Sequence, residues 1–242
     1  MGECPSGRIE LFKRFKIVSM KKIQIITAFI LLISSHNSYS QTTNWKNLKR
    51  EEKHLLNINA GWEYSFVYGL NYGYHFDIKL PIIAEISFSF PSGETLFDDF
   101  KTKIGGQVNL YKIDDFYFNA SVHGIYRRYE NPLAQLQNFG ADANGIIGYY
   151  KTKWFVAAEF GFDKAIVTHL NHTSIYKEAY PEVKNGWYEP TTGGNFNYGL
   201  QGGYSFKRSD LTLRVGKVIT EDFKTEPLIP FYLQLGYNWK LN

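Results

Sequence analysis

From Leu55 to Leu241 apolar and polar residues alternate with a period of two, in one segment after another. A strand shows that period and a helix does not, so the chain reads as all-β. Ten such segments can be drawn. Their apolar faces run Leu56–Trp62, Phe66–Phe76, Leu80–Phe90, Ile104–Leu110, Phe116–Tyr126, Phe139–Tyr149, Trp154–Phe162, Phe196–Phe206, Leu211–Val215 and Ile229–Leu241. Most span about 9–13 residues, whereas soluble strands average about five or six and a tilted membrane strand needs about eleven.

The connections test this reading independently. Residues 77–79, 113–115, 151–153 and 207–209 are short links; 91–101, 128–137, 165–193 and 220–227 are long. The first link, Tyr64-Ser65, is short and breaks the alternation. Tight turns alternating with loops is the plan of an outer-membrane barrel, with turns and termini in the periplasm.

Bulk decides which face points outward. The apolar faces carry more aromatic rings than the lumen of a ten-stranded barrel can hold. The opposite face is small and polar, with Asn57, Asn59, Asn71, Ser87, Ser89, Gln107, Asn109, Asn119, Ser121, Asn144, Asn195, Asn197 and Gln201. Aromatics gather near both ends of the segments, with Ala, Gly, Val, Leu and Ile between, as in two interfacial girdles around an aliphatic belt. A soluble lipocalin-like carrier would need the reverse. The fold expected is therefore all-β, a ten-stranded antiparallel up-and-down transmembrane β-barrel preceded by a signal peptide.

Four regions follow. Residues 1–19 read as an upstream extension and 20–40 as the signal peptide, so translation can start at Met1 or Met20. Lys21-Lys22 precede a short apolar core, and Ser38-Tyr39-Ser40 places cleavage before Gln41. Residues 41–54 form a short, polar periplasmic arm, and 55–242 the barrel. Residues 1–40 hold six of the 27 basic and two of the 23 acidic residues, leaving 21 of each. The formal charge of +4 thus belongs to the leader and signals no nucleic-acid partner. The single cysteine, Cys4, lies there too, which excludes thiol chemistry from the barrel.

At this point the chain resembles the small outer-membrane β-barrel families of Gram-negative bacteria. Its Tyr- and Asn-rich strands and Ser-Gln cleavage site resemble proteins of the Bacteroidota. Phe231–Leu241 is similar to the C-terminal signal read by the barrel-assembly machinery, but ends in Leu241-Asn242 instead of an aromatic. The resemblance implies an outer-membrane location after export, with membrane lipid, lipopolysaccharide and the assembly machinery as partners. Arg128, Lys164 and Lys217 point outward near the outer rim, where lipopolysaccharide phosphates lie.

The polar face also carries Glu63, Glu85, Asp142, Glu159 and Asp163 against Lys101, Lys103, Arg127 and Arg214. Nearly balanced signs predict paired networks that fill the bore, whereas an ion-selective ring would favour one sign. The 165–193 loop offers His169, His172, Tyr176, Tyr180, Trp187 and Tyr188 as a cap or recognition surface for an unknown ligand or envelope protein. His-x-x-His is weak as a metal site. His172-Thr173-Ser174 is similar to the His-x-Ser pair of barrel-type lipid A deacylases, but lies too far above the girdle to reach lipid carbonyls. Omptin-like proteases need an Asp-x-His motif that is absent, and Asp98 and Asp99 lack a clear partner. The expectation is a non-enzymatic surface scaffold with no cofactor and a plugged lumen. A lipid A-acting barrel enzyme and a narrow solute pore are the alternatives.

Overall fold

The computed structural model describes residues 42–93, 98–191 and 193–242. The upstream extension, the signal peptide and the cleavage point at Gln41 lie outside the described residues. The elements run β1 (His54–Trp62), β2 (Phe66–Phe76), β3 (Ile82–Pro91), β4 (Asp99–Ile113), β5 (Phe116–Glu130), β6 (Ala134–Tyr150), β7 (Trp154–His172), α1 (Ser174–Ala179), β8 (Gly186–Tyr188), β9 (Gly194–Ser205), β10 (Ser209–Thr220) and β11 (Phe231–Leu241). A single 3-10 turn, Trp45–Asn47, precedes them.

Ten of these strands close into a barrel. Each pairs antiparallel with the next, β9 takes the place beside β7, and β1 pairs with β11 from His54↔Leu241 to Trp62↔Leu233. Closure leaves no free edge, which a bilayer demands because it offers backbone groups no hydrogen bonds. The faces divide as the period of two requires. Ile104, Val122 and Leu200 are 67%, 62% and 55% exposed on the outside, whereas Lys103, Ser121 and Gln201 beside them are buried inside. An apolar exterior around a polar interior inverts a soluble barrel, so the fold is a transmembrane one.

The structure corrects several boundaries. The third segment begins at Ile82, leaving Leu80 in the turn, and the tenth begins at Phe231, not Ile229. Strands β4 to β7 are longer than the apolar pattern indicated, 15, 15, 17 and 19 residues. Much of the 165–193 loop is therefore not loop: β7 runs on to His172, α1 follows, and β8 pairs back on β7 through His169↔Trp187. The pattern was hidden by register shifts. Phe139 faces Val167 while Gly140 faces Ala165, so Ile166 is an extra residue. A second shift, between Asn109 and Tyr111, leaves Leu110 and Tyr111 both exposed. A bulge reverses the facing of everything beyond it, so simple alternation lapses there.

The largest correction concerns the arm. Lys49, Arg50 and Glu51 are solvated as expected, but Thr42, Thr43, Asn44 and Trp45 are buried. They fill the mouth of the barrel at its turn end, where the lumen faces of the strands start. A bare period-two reading of 55–242 has nothing to say about a segment outside it.

Candidate functional site

The bore is where the structure concentrates its chemistry. Strand register sets which side chains meet. At the loop end, Lys101 of β4 forms an ion pair with Glu63, just beyond β1. Arg127 of β5 reaches Asp99 with two parallel bonds, Nε–Oδ1 3.0 Å and Nη2–Oδ2 2.7 Å, and its guanidinium lies 4.0 Å from the Tyr64 ring centre.

A second group follows one register row: Glu85, Gly105, His123, Asp142, Asp163 and Asn195 on β3, β4, β5, β6, β7 and β9. His123 Nδ1 is 2.9 Å from Asp142 Oδ1, and its Nε2 is 3.2 Å from Glu85 Oε2. The imidazole reaches Glu85 across a bare backbone, since a Cβ on Gly105 would come within 2.8 Å of the ring. Lys103 Nζ adds a 2.9 Å pair to Asp142.

A third row joins Glu159, Gly199, Gly216 and Tyr232 on β7, β9, β10 and β11. Tyr232 lies over both glycines, where a Cβ on either would collide with its hydroxyl. That hydroxyl donates to Glu159 Oε1 at 2.6 Å. Arg214 clamps the same carboxylate, Nη2–Oε2 2.8 Å, and Gln201 donates to it at 3.1 Å.

The structure thus gives seven of the nine charged residues named from the sequence a partner of opposite charge in the bore, and gives Glu85 the imidazole of His123. Asp163 is the exception. Its Oδ2 accepts from Asn195 at 3.4 Å, and Oδ1 has no hydrogen-bond partner among the described residues. Lys101, Lys103 and Asp163 are 1%, 2% and 0% exposed.

The turn end closes differently. Trp45 packs with Leu55, Ile83, Tyr117, Ile146, Tyr150, Phe155 and Ala157. Tyr150 and Phe155 stack with centroids 5.1 Å apart and planes 1° from parallel. Polar contacts fix the segment: Asn44 donates to Ser205 Oγ (2.7 Å) and Lys151 O (2.9 Å), and Asn238 donates to Thr42 O (2.6 Å). Asp115 of the β4–β5 turn bonds both Lys151 of the β6–β7 turn and Lys46 of the N-terminal segment, and they hold its carboxyl down at about 2.

Sequence reasoning missed His123, Tyr232, Asp99 and the Asp210–Lys240 pair (2.7 Å) in the bore. His123 lies on the polar face by alternation alone; its bridging role depends on Gly105 opposite. The apolar collar did leave a signal. Leu55-Leu56, Ile82-Ile83, Phe116-Tyr117, Ile146-Ile147, Tyr149-Tyr150 and Trp154-Phe155 are apolar doublets, each putting one member inside.

The loop candidates form two groups. His169 packs on Trp187 (4.8 Å), which also meets Phe139 (6.0 Å). His172 stacks on Tyr176 (5.0 Å), which continues to Tyr180 (5.1 Å). Tyr188 donates to Lys184 O at 3.0 Å. On an extended strand a three-residue spacing sends His169 and His172 to opposite faces, so they do not converge on a metal. His172 Nδ1 lies 3.3 Å from Asn185 Oδ1. Among the outer-rim cations, Arg128 pairs with Glu130 and Lys164 with Glu221.

No protein-family model matches the chain, and no curated protein matches it by sequence. Nothing therefore supports the likeness to Bacteroidota proteins. Among solved structures, a KdgM porin has a TM-score of 0.41 and 9% identity over 78% of this chain and 99% of its own. A KdgM porin in complex with disordered oligogalacturonate gives 0.40 and 9% over the same shares. A membrane protein from work on in-meso crystallization gives 0.35 and 6%, over 78% of this chain and 84% of its own. At these values the likeness carries no argument about a solute or a site.

Proposed function

We propose that this chain is an outer-membrane barrel that holds its bore closed and works through the surface it displays, without catalysis. The observation that carries this is the burial of the bore's ion pairs. A water-filled channel would leave such side chains accessible, and instead Lys101, Lys103, Arg127, Glu159 and Arg214 are cross-linked out of reach of solvent. The outer-membrane location rests on the barrel itself, since closed antiparallel sheets with an apolar exterior are the β-structures that span bilayers. The displayed surface is the projection between β7 and β9, where β8 carries Trp187 and Tyr188, both exposed.

A narrow solute pore is the second reading, and one observation favours it. The bore is lined by Asn, Ser, Gln and charged side chains, and its turn-end closure is a separate segment, not the barrel wall. Displacing that segment and loosening the ion pairs would give a hydrated path. Planar-bilayer recording decides between the two. The closed-barrel reading expects no resolved conductance steps from the refolded chain over a wide voltage range. Reproducible steps from the intact chain would overturn it in favour of the pore.

A further inference from the structure

We infer that the turn-end rim carries a binding site for an anionic phospholipid, in a groove between the β6–β7 and β9–β10 turns; this rests on the membrane reading above. The groove encloses about 890 Å³ and is lined by Asn47, Lys49, Thr152, Lys153, Tyr204, Ser205, Phe206, Lys207, Arg208 and Ser209. Four of these are cations and none is an acid. The N-terminal segment supplies one wall, held by Asn47 donating to Phe206 O at 3.0 Å.

The cations of the groove are gathered in one place and left uncompensated. Elsewhere along this rim Arg50 pairs with Asp77 at 3.0 Å, and Lys46 and Lys151 share Asp115; Lys79 and Lys112 lie outside the groove. On the opposite rim Arg128 pairs with Glu130 and Lys164 with Glu221. Lys153, Lys207 and Arg208 are exposed and form no ion pair among the described residues, and Lys49 has only a loose 3.9 Å contact with Glu51. Like charges gathered on one rim repel, and an anion bound among them relieves that.

The occupant must also be amphiphilic. Tyr204 on the outer face of β9 and Phe206 just beyond its end pack edge to face with centroids 5.3 Å apart, and are 49% and 51% exposed. They continue the lipid-facing girdle to the floor of the cationic groove. A phosphate among Lys153, Lys207 and Arg208, with its acyl chains running up past Tyr204, satisfies both surfaces at once. A soluble polyanion would use the cations and leave the aromatic wall unused.

The test is lipid retention by native mass spectrometry, on protein refolded into bilayer discs of equimolar phosphatidylglycerol and phosphatidylcholine. Surface cations contribute about fivefold each in affinity for anionic lipid. The intact chain should therefore retain phosphatidylglycerol about tenfold or more over phosphatidylcholine. The K153Q/K207Q/R208Q variant should lose that preference, and K79Q/K112Q, which removes two cations elsewhere on the rim, should keep it. Equal retention of the two lipids by the intact chain overturns the inference. So does an equal loss in both variants, which would mean diffuse attraction without a site. Displacement of the preference by soluble polyphosphate at physiological salt would overturn the choice of a lipid occupant. Failure of the intact chain to enter any disc would instead sink the membrane reading.

Discussion

The middle of the bore and its turn-end mouth are both filled by side chains, by opposite physics. In the middle, side chains fixed on rigid strands meet at charges: Glu159 with Arg214, Asp142 with Lys103 and His123, Lys101 with Glu63. At the mouth, an apolar collar receives Trp45 from a segment outside the barrel. The middle is specified by register, because strand pairing decides which charges are neighbours. The mouth is specified by shape, because an indole needs only an apolar hole of the right size. The first arrangement tolerates loss of a partner badly, since the remaining charge stays buried; the second loses packing and admits water.

Replacing Glu159 with Ala should have the largest effect. It strands Arg214 and removes the acceptor of Tyr232 and Gln201, and breaking a buried pair costs about 3–5 kcal/mol. Urea unfolding of the refolded barrel in micelles measures it. If Glu159→Ala unfolds no more easily than the parent, the ionic middle does not hold the barrel together.

Trp45→Ala should cost about 3 kcal/mol, at the low end for a buried Trp because the mouth borders water. The barrel should still assemble, but protease should now cut within 42–53. Continued protection there would show that the polar contacts of Asn44 and Asn238, and not the collar, anchor the segment.

Leu200→Arg and Gln201→Arg separate bore from exterior. Arg on the lipid face should cost about 2–4 kcal/mol and impair assembly or heat-modifiable migration on gels. Gln201→Arg, beside Glu159, should be milder. The reverse ranking would return the soluble-barrel reading and void the comparison of two closures inside one bore.

The smallest effect is one of pH at the mouth. A carboxyl whose folded value is depressed contributes stability that is complete above its ordinary value, about 3.9, and is lost as pH falls through the folded value. Asp115 sits at about 2, held there by Lys151 and Lys46. The protection factors of amides 44–48, which remove the intrinsic pH dependence of exchange, should therefore be alike at pH 6 and pH 7 and fall progressively from about pH 4 to about pH 2. Protection that does not change across that interval would mean that the Lys46–Asp115 tie does not hold the segment.

The period of two was enough to give ten membrane strands and their inward and outward faces, because each depends only on alternation along a single strand. The lengths of β6 and β7 were obscured by one extra residue, Ile166, since a bulge resets alternation without leaving a turn signal. Pairing inside the bore was beyond the sequence for a different reason. Whether His123 meets Glu85, or Tyr232 meets Glu159, depends on cross-strand register and on Gly105, Gly199 and Gly216 opposite them, residues up to 73 positions apart in sequence.

The sequence by itself therefore determined a barrel with a charged polar lining and an apolar coat. Tertiary structure alone decided which charges meet, that Asp163 meets an amide instead of a cation, and that Thr42–Trp45 turns back into the mouth. Facing is a local property, set by each residue's place in its own strand. Partnership and closure join residues distant in sequence, and become defined only once β1 pairs with β11 and fixes every register around the ring.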